Sequence, residues 1–207
     1  MCSSRGTGLF AIANAEADDS RFHAGGISAG NMLEFSRPFV DAGGKADTAS
    51  FRLAFAAETA SPDAFFFACE RVNAPKVDRS ALERHANGVS GLSGIVALAG
   101  VPSTHRDFLR QLTEAEAIGD DASGFAIDAG NGTVIVVDAE TAKSRHGIAA
   151  PAGNGLQLAG VIFGVADLAD SERLFKANAI SYERRDDRIL VPPAAGQGAT
   201  FVFEATT

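Results

Sequence analysis

Apolar runs and polar breaks follow one another in the same order in two stretches of the second half of the chain. The run at 95–98 recurs at 161–165, and both are rich in the β-branched residues typical of half-buried strands. The last apolar runs, "GTVIVVDA" from Gly132 and "GATFVFEA" from Gly198, are also 66 residues apart. One spacing thus connects the first and last predicted strands of two units, which indicates an internal repeat.

A capped helix is predicted after the first strand of each unit. Asp167 is a suitable N-cap for a helix over 168–178 in the later unit, and Ser103 has the same place in the earlier one. The earlier helix carries its apolar residues on one face: Phe108, Leu109 and Leu112. A helix therefore follows the opening strand in both units.

Three short strands are predicted after each helix. In the later unit they lie around 180–183, 188–191 and 200–204. Asp186-Asp187 favours a turn after the first strand, and Pro192-Pro193 ends the second because proline cannot extend a ladder. The unit is therefore βαβββ.

The first 70 residues show a looser copy of this order. We predict a strand over 9–15, a short helix capped by Asp18 or Asp19 and ended by Gly25-Gly26, and then three strands, with a hairpin turn at 41–45. The predicted domains are a first module at 1–75, a linker helix at 76–90, and two paired modules at 91–207.

These units, with "GLSGIV" or "LAGVIF" opening one and "PPAAGQGATFVFE" closing another, resemble the vicinal oxygen chelate superfamily, the glyoxalase and bleomycin-resistance fold. The nearest resemblance is to its glyoxalase-like domains, through "FSRPFVDAGGKADTASFRLAFA", "FFFACE", "RHANGVSGL" and "THRDFL". The resemblance covers about residues 8 to 205. It implies an α+β fold of three βαβββ modules, two of which pair into a curved, cup-like sheet.

The resemblance also has consequences for assembly. Members usually hold an even number of modules, so three modules suggest that an upstream module is absent. An unpaired module would expose a sheet edge and an incomplete core. We therefore expect the first module to find its partner across the two-fold axis of a homodimer.

Metal-dependent relatives bind a divalent ion through a His on the first strand and a Glu on the last strand of each module. Carried over by position, the His places fall on Gly94 and Gly160, and the Glu places fall on or near Val136 and Val202. None of these residues offers a metal ligand. We therefore predict no cofactor and no metal site, with a bound divalent metal as the alternative.

Other candidate ligands leave the same two alternatives open. Glu204 and Asp138 lie two residues beyond the Glu places, and they would enter the cup if the strand register differed by two; otherwise they are solvated acids at strand ends. His105 is expected on an exposed helix, His146 in a loop and His23 near a helix end. No histidine pair has the short spacing of a helical or strand metal motif.

Polar residues that interrupt apolar segments are the candidate ligand-binding residues. They are Arg37, Arg52, Cys69, Glu70, His85 and Glu204. Either arginine could receive an oxyanion from a small ligand. Alternatively, the arginines point to the solvated face of a sheet, His85 caps the end of its helix, and Cys69 is a small core residue.

Composition narrows the choice of function. The net charge of −8 argues against nucleic acid, whose phosphates would be repelled. Only two cysteines are present, and no apolar run approaches the ~18 residues that cross a bilayer, so we expect a cytoplasmic protein with no membrane partner.

Two functions follow from these observations. The first is a glyoxalase-like binding module, whose phenylalanine-rich cup holds a small organic molecule without a complete metal site. The alternative is a metal-dependent lyase or dioxygenase of the glyoxalase or extradiol type, with ligands lost or supplied by a missing module or partner chain. A structural remnant without activity is a third interpretation.

Overall fold

The structure is a computed structural model that describes residues 14–41, 43–73, 84–130, 132–149 and 155–206. These residues divide into two compact units. The first comprises 14–73 with 108–114, and the second comprises 84–107 with 115–206. Most of the strand predicted at 9–15 and of the linker helix predicted at 76–90 lies outside the described residues; 84–88 form a turn and not a helix.

The first unit contains one helix and a three-stranded antiparallel sheet of order β1-β2-β3. The elements are α1 (Ala15–Ala24), β1 (Leu33–Val40), β2 (Ala46–Ala56) and β3 (Phe66–Asn73). The predicted helix and hairpin are confirmed, but the predicted cap is wrong. Asn14 caps α1 by accepting a hydrogen bond from the amide of Ala17 at 3.1 Å, whereas Asp18 lies in the first turn and pairs with Arg21.

The two faces of this first sheet differ in burial. On one face, Phe22 of α1 and Ala54 of β2 are fully buried, and Phe66 packs edge to face against Phe108 at 5.3 Å between ring centroids. On the other face, Phe35 stacks on Phe51 at 5.1 Å and stays exposed. Among the described residues, one face of the first sheet is therefore covered, and the face with Phe35 is not.

The second unit is built on one eight-stranded sheet of order β5-β6-β7-β4-β8-β11-β10-β9. Its strands are β4 (Val89–Leu98), β5 (Ala117–Asp121), β6 (Gly124–Asp128), β7 (Thr133–Val137), β8 (Gln157–Val165), β9 (Glu183–Arg185), β10 (Arg188–Val191) and β11 (Thr200–Ala205). Its helices are a 3₁₀ turn (Pro102–His105), α2 (Arg106–Thr113), α3 (Ala139–His146) and α4 (Leu168–Ala177). Residues 108–114, which include most of α2, group with the first unit.

Two βαβββ modules meet at the centre of this sheet with matching geometry. Ile95 lies opposite its own repeat counterpart, Val161, and Gly94 lies opposite Ile162 just as Gly160 lies opposite Val96. In both modules the last strand runs parallel to the first. The predicted pairing of two modules is therefore confirmed, while the count of three modules stays a prediction.

The predicted register of the last strands is wrong by one residue. Thr133 lies opposite Gly94 and Thr200 lies opposite Gly160, so the repeat spacing is 67 at this point and not 66. Because side chains alternate along a strand, the counterpart of Val202 is Ile135, and Val136 points to the other side of the sheet.

Local predictions in the second unit have mixed outcomes. Asp167 caps α4 as predicted, with its carboxylate 2.8 Å from the amide of Ala169. Ser103 is not a cap, since it lies inside the 3₁₀ turn, and His105 is buried at 4 % exposure, contrary to prediction. The strand predicted at 180–183 starts only at 183, because the chain after α4 still forms helix-end hydrogen bonds. The apolar stripe of α2 is buried as predicted.

The second sheet has a different cover on each face. The inner face is defined here as the face that packs against α3 and Ile148, with Val96, Ile162 and Val202 in its core. The outer face packs against α4, with Phe175 against Phe203 at 5.0 Å. No helix in the described part of the chain has the length and apolar composition needed to span a bilayer.

Candidate functional site

Helix α3 forms one wall of the candidate site, although the sequence analysis took this segment as a loop. Asp138 caps its start by accepting a hydrogen bond from the amide of Thr141 at 2.7 Å. Gly147, with a φ of 63°, ends it in the left-handed conformation that favours glycine. The amide of Ile148 then bonds the carbonyl of Ala142 at 3.0 Å, which turns the chain back onto the inner face.

A cleft of about 680 Å³ opens on the inner face of the second unit. Ile135, Val137 and Ile162 contribute apolar side chains to it. Its polar lining comes from α3, from the β5–β6 turn, and from the β9–β10 hairpin with the end of β11. The volume is typical of small-molecule sites, although most of the residues that line this cleft are polar or charged.

His146, the last residue of α3, is the most unusual side chain of this cleft. It is 5 % exposed, and its Nδ1 is buried with no hydrogen-bond partner among the described residues. Burial, together with the guanidinium groups of Arg188, Arg145 and Arg185, lowers the pKa of His146 to about 4. The imidazole is therefore neutral at pH 7, and its free nitrogen faces a positive field.

The three arginines around His146 are engaged to different degrees. Arg185 donates to the carbonyls of Lys143 at 3.2 Å and Ser144 at 2.7 Å, and it also pairs with Glu183. Its role is therefore to hold the end of α3 against the β9–β10 hairpin.

The other two arginines have donors left for a ligand. Arg188 bonds the carboxylate of Asp187 only through Nε, at 3.2 Å. Arg145 is exposed, and its guanidinium acts electrostatically on both His146 and Asp121. These two groups are consequently available to bind an acceptor in the cleft.

Carboxylates also line the cleft. Asp121 accepts hydrogen bonds from the hydroxyl of Ser123 at 2.5 Å and from the amides of Ser123 and Gly124, and these bonds lower its pKa. Glu204 is half-buried and lies opposite Arg188 in the β10–β11 pair. Glu204 therefore enters the cleft, which was one of the two alternatives left open by the sequence.

The positions to which the resemblance assigns metal-binding histidines, Gly94 and Gly160, leave little room for a side chain. An added Cβ on Gly94 would overlap the carbonyl oxygen of Thr133, and one on Gly160 would lie 2.8 Å from Cδ1 of Ile148. The residues on the last strands that face these positions, Ile135 and Val202, have no metal-binding atom. No cluster of three or more potential ligands occurs among the described residues. The donor set therefore does not fit the metal.

The six candidate residues from the sequence do not come together. Four lie in the first unit, where Arg52 pairs with Glu16 at 2.9 Å and Glu34 at 2.6 Å, and Glu70 accepts from the amide of Ala15 at 3.1 Å.

The remaining candidates differ in surroundings. Arg37 lies over the ring of Phe51 at 5.7 Å, and Cys69 is a free, half-buried thiol. His85 is exposed in the turn before β4, and Glu204 is the one candidate among the six that lines the cleft.

Three groups of the cleft escaped the sequence analysis: His146, Arg145 and Arg188. The sequence did contain a signal for the helix that carries His146. Asp138 is a good N-cap and Gly147 a good C-cap, and together they indicate a short helix between the modules. Nothing local in the sequence indicates that this helix packs on the inner face.

Solved structures with the same fold were found across nearly the whole chain. A hypothetical protein from Staphylococcus aureus matches with a TM-score of 0.59 at 8% identity, over 96% of this chain and 65% of that one. Homoprotocatechuate 2,3-dioxygenase from Arthrobacter globiformis matches with a TM-score of 0.60 at 11% identity, over 97% and 61%. The Mn(II)-bound glyoxalase from Novosphingobium aromaticivorans matches with a TM-score of 0.53 at 14% identity, over 97% and 62%.

These likenesses show the fold that the sequence analysis expected, the α+β fold of the vicinal oxygen chelate superfamily. The chain spans less than two thirds of the length of each of these three proteins. No protein-family model matches the chain. No curated protein matches it either.

Proposed function

We propose that this chain binds a small organic molecule in the cleft on the inner face, without a metal at the positions used by metal-dependent relatives. The carrying observation is the cleft itself, in which an apolar floor with Ile135 and Ile162 faces a wall with His146. The imidazole of His146 is buried, and its Nδ1 has no hydrogen-bond partner among the described residues. A buried polar nitrogen without a partner costs free energy, and a ligand that bonds it would recover that cost.

Binding without metal-dependent catalysis is favoured by the glycines of the first strands. Gly94 and Gly160 supply no ligand, and Ile148 fills the space beside Gly160. The homoprotocatechuate dioxygenase and the Mn(II)-bound glyoxalase share the fold with this chain, but catalysis of their kind needs donor atoms that these positions lack. We also propose a cytoplasmic location, which is supported by the small number of cysteines.

A fragment screen with a variant that fills the cleft tests this function. Ligand-observed NMR with aromatic and aliphatic fragments should detect binders to the unmodified protein. Ser144→Trp places an indole in the cleft from an exposed helix position and should abolish this binding. Ala139→Trp, also exposed on α3 but outside the cleft lining, is the control and should leave it intact. Equal binding to both variants, or no binders at all, would contradict the proposal.

A further inference from the structure

The cleft contains a cationic corner, defined as Arg145, His146 and Arg188. We propose that this corner binds the carboxylate of the small molecule, while the apolar body of that molecule lies on the floor formed by Ile135 and Ile162. This inference rests on the proposed function and adds the chemical class of the ligand.

The corner offers hydrogen-bond donors from two different elements. Arg145 and His146 end α3, and Arg188 begins β10 on the opposite side of the cleft. The Nη groups of Arg188 are left over because Asp187 bonds only its Nε. Two guanidinium groups and an imidazole N–H are the kinds of donor that bind a carboxylate through several hydrogen bonds, those from the guanidinium groups being charge-assisted.

The nearby carboxylates compensate the charge of the corner only in part. Asp121 is held by three hydrogen bonds within its own turn, and Asp187, which bonds Nε of Arg188, is mostly exposed. The charged groups that shift the pKa of His146 are all guanidinium groups. An anion beside His146 would therefore lie among positive charges.

The negative charge of Glu204 opposes the binding of a carboxylate in the cleft. Its side chain lines the same cleft and lies opposite Arg188 in the strand pair. A ligand carboxylate bound by Arg188 would be repelled by Glu204, so removal of this charge should strengthen binding. A neutral ligand would not respond in this way.

The neutral state of His146 gives an independent readout. In neutral histidine, one ring nitrogen is a donor and the other is an acceptor. A carboxylate bound by the ring fixes the proton on the nitrogen that donates to it, and the two tautomers are distinguished by their ring ¹⁵N shifts. Arginine alone could not produce this signature.

The experiment compares carboxylates with their neutral amides as probes: benzoate with benzamide, hexanoate with hexanamide, and cyclohexanecarboxylate with its amide. NMR titration at pH 7 should show acids binding about tenfold or more tightly than amides. Arg145→Gln should weaken acids about tenfold and leave amides unchanged, and Glu204→Gln should strengthen acids. Arg173→Gln, an exposed arginine on α4 outside the cleft lining, is the matched control. Benzoate should also shift the ring ¹⁵N resonances of His146 toward those of a single tautomer, and benzamide should not.

The outcomes separate this inference from the proposed function. Equal affinity for acids and amides, or an unchanged acid affinity in Arg145→Gln, overturns the carboxylate proposal and leaves small-molecule binding standing. Absence of binding by every acid and amide overturns both proposals. Because Arg145 and Glu204 are not core residues, both variants should fold, and their thermal unfolding is checked first.

Discussion

The side chain of Ile148 occupies the space into which a side chain on Gly160 would project. Its Cδ1 lies 2.8 Å from the ideal Cβ position of Gly160, and Cβ of Val96 lies 3.2 Å from the same point. Ile148 follows α3, whereas Gly160 belongs to the first strand of a module. The connector between the modules thus fills the space at a position to which the resemblance assigns a metal-binding histidine.

Substitutions at these two residues should be strongly coupled. Gly160→Ala should destabilise the fold by about 1–3 kcal/mol through overpacking, and Ile148→Ala by about 2–5 kcal/mol through loss of buried side-chain volume. The double variant should lose less than the sum, because each change relieves the other. Denaturant unfolding measures the three free energies, with Gly91→Ala on β4 as a near-neutral control, since its added Cβ meets nothing within 4 Å. Additive losses would show that the two residues do not share this space.

Stability should depend on pH through His146. Its pKa falls from 6.5 to about 4 on folding, so between these values the unfolded chain binds a proton that the folded chain does not. Stability should therefore rise from pH 4 to pH 6.5 and stay level above, with a contribution of at most about 3 kcal/mol because water in the cleft screens the effect. The charges that face the ring are those of Arg188, Arg145 and Arg185.

Urea unfolding across this pH range compares the protein with two variants. His146→Gln should reduce the rise of the unfolding free energy with pH. Carboxylates that titrate in the same range contribute equally to both proteins, so the difference between the two curves reports His146 alone. His85→Gln, at an exposed turn position, should keep the original slope. An unchanged slope in His146→Gln would mean that this imidazole does not titrate differently on folding.

Much of the fold could be predicted from local sequence patterns. The Asp186-Asp187 turn, the Asp167 cap and the spacing of Gly94 and Gly160 each depend on a few neighbouring residues, and the structure places all of them as predicted. The register of the last strands was missed because matching glycines suggested a spacing of 66. Backbone pairing, which the sequence does not display, makes the spacing 67 there.

Only part of the candidate site could be predicted from the sequence. Helix α3 has too few apolar residues for a visible stripe, and only Thr141, Ala142 and His146 of its residues are buried, with Ala142 in the core of the inner face. Arg188 lies in the same cleft because β10 pairs with β11, so that the start of β10 lies beside the end of β11. Glu204 was found because strand alternation put it on the face of Val202. The site residues that could not be predicted were those that only tertiary packing brings into the cleft.

Protein purified without chelators should carry no stoichiometric metal. The reason is that Gly94, Gly160, Ile135 and Val202 offer no donor atom at the positions described above. Elemental analysis for Zn, Ni, Fe and Mn checks this expectation after dialysis into metal-free buffer. One bound ion per chain would contradict it, and loss of that ion in Glu204→Gln would then assign a ligand in the cleft.

The first unit should join two chains into a homodimer. β1 is an edge strand among the described residues, and its own Leu33 and Phe35 are 48 % and 42 % exposed. A two-fold axis at this edge would bury the same patch from both copies and remove both exposed edges. Native mass spectrometry should show a dimer for the unmodified chain and a monomer for Leu33→Ser combined with Phe35→Ser. Leu92→Ser, which replaces a leucine of 55 % exposure in the second unit, should stay dimeric. A stable monomer of the unmodified chain would refute this assembly.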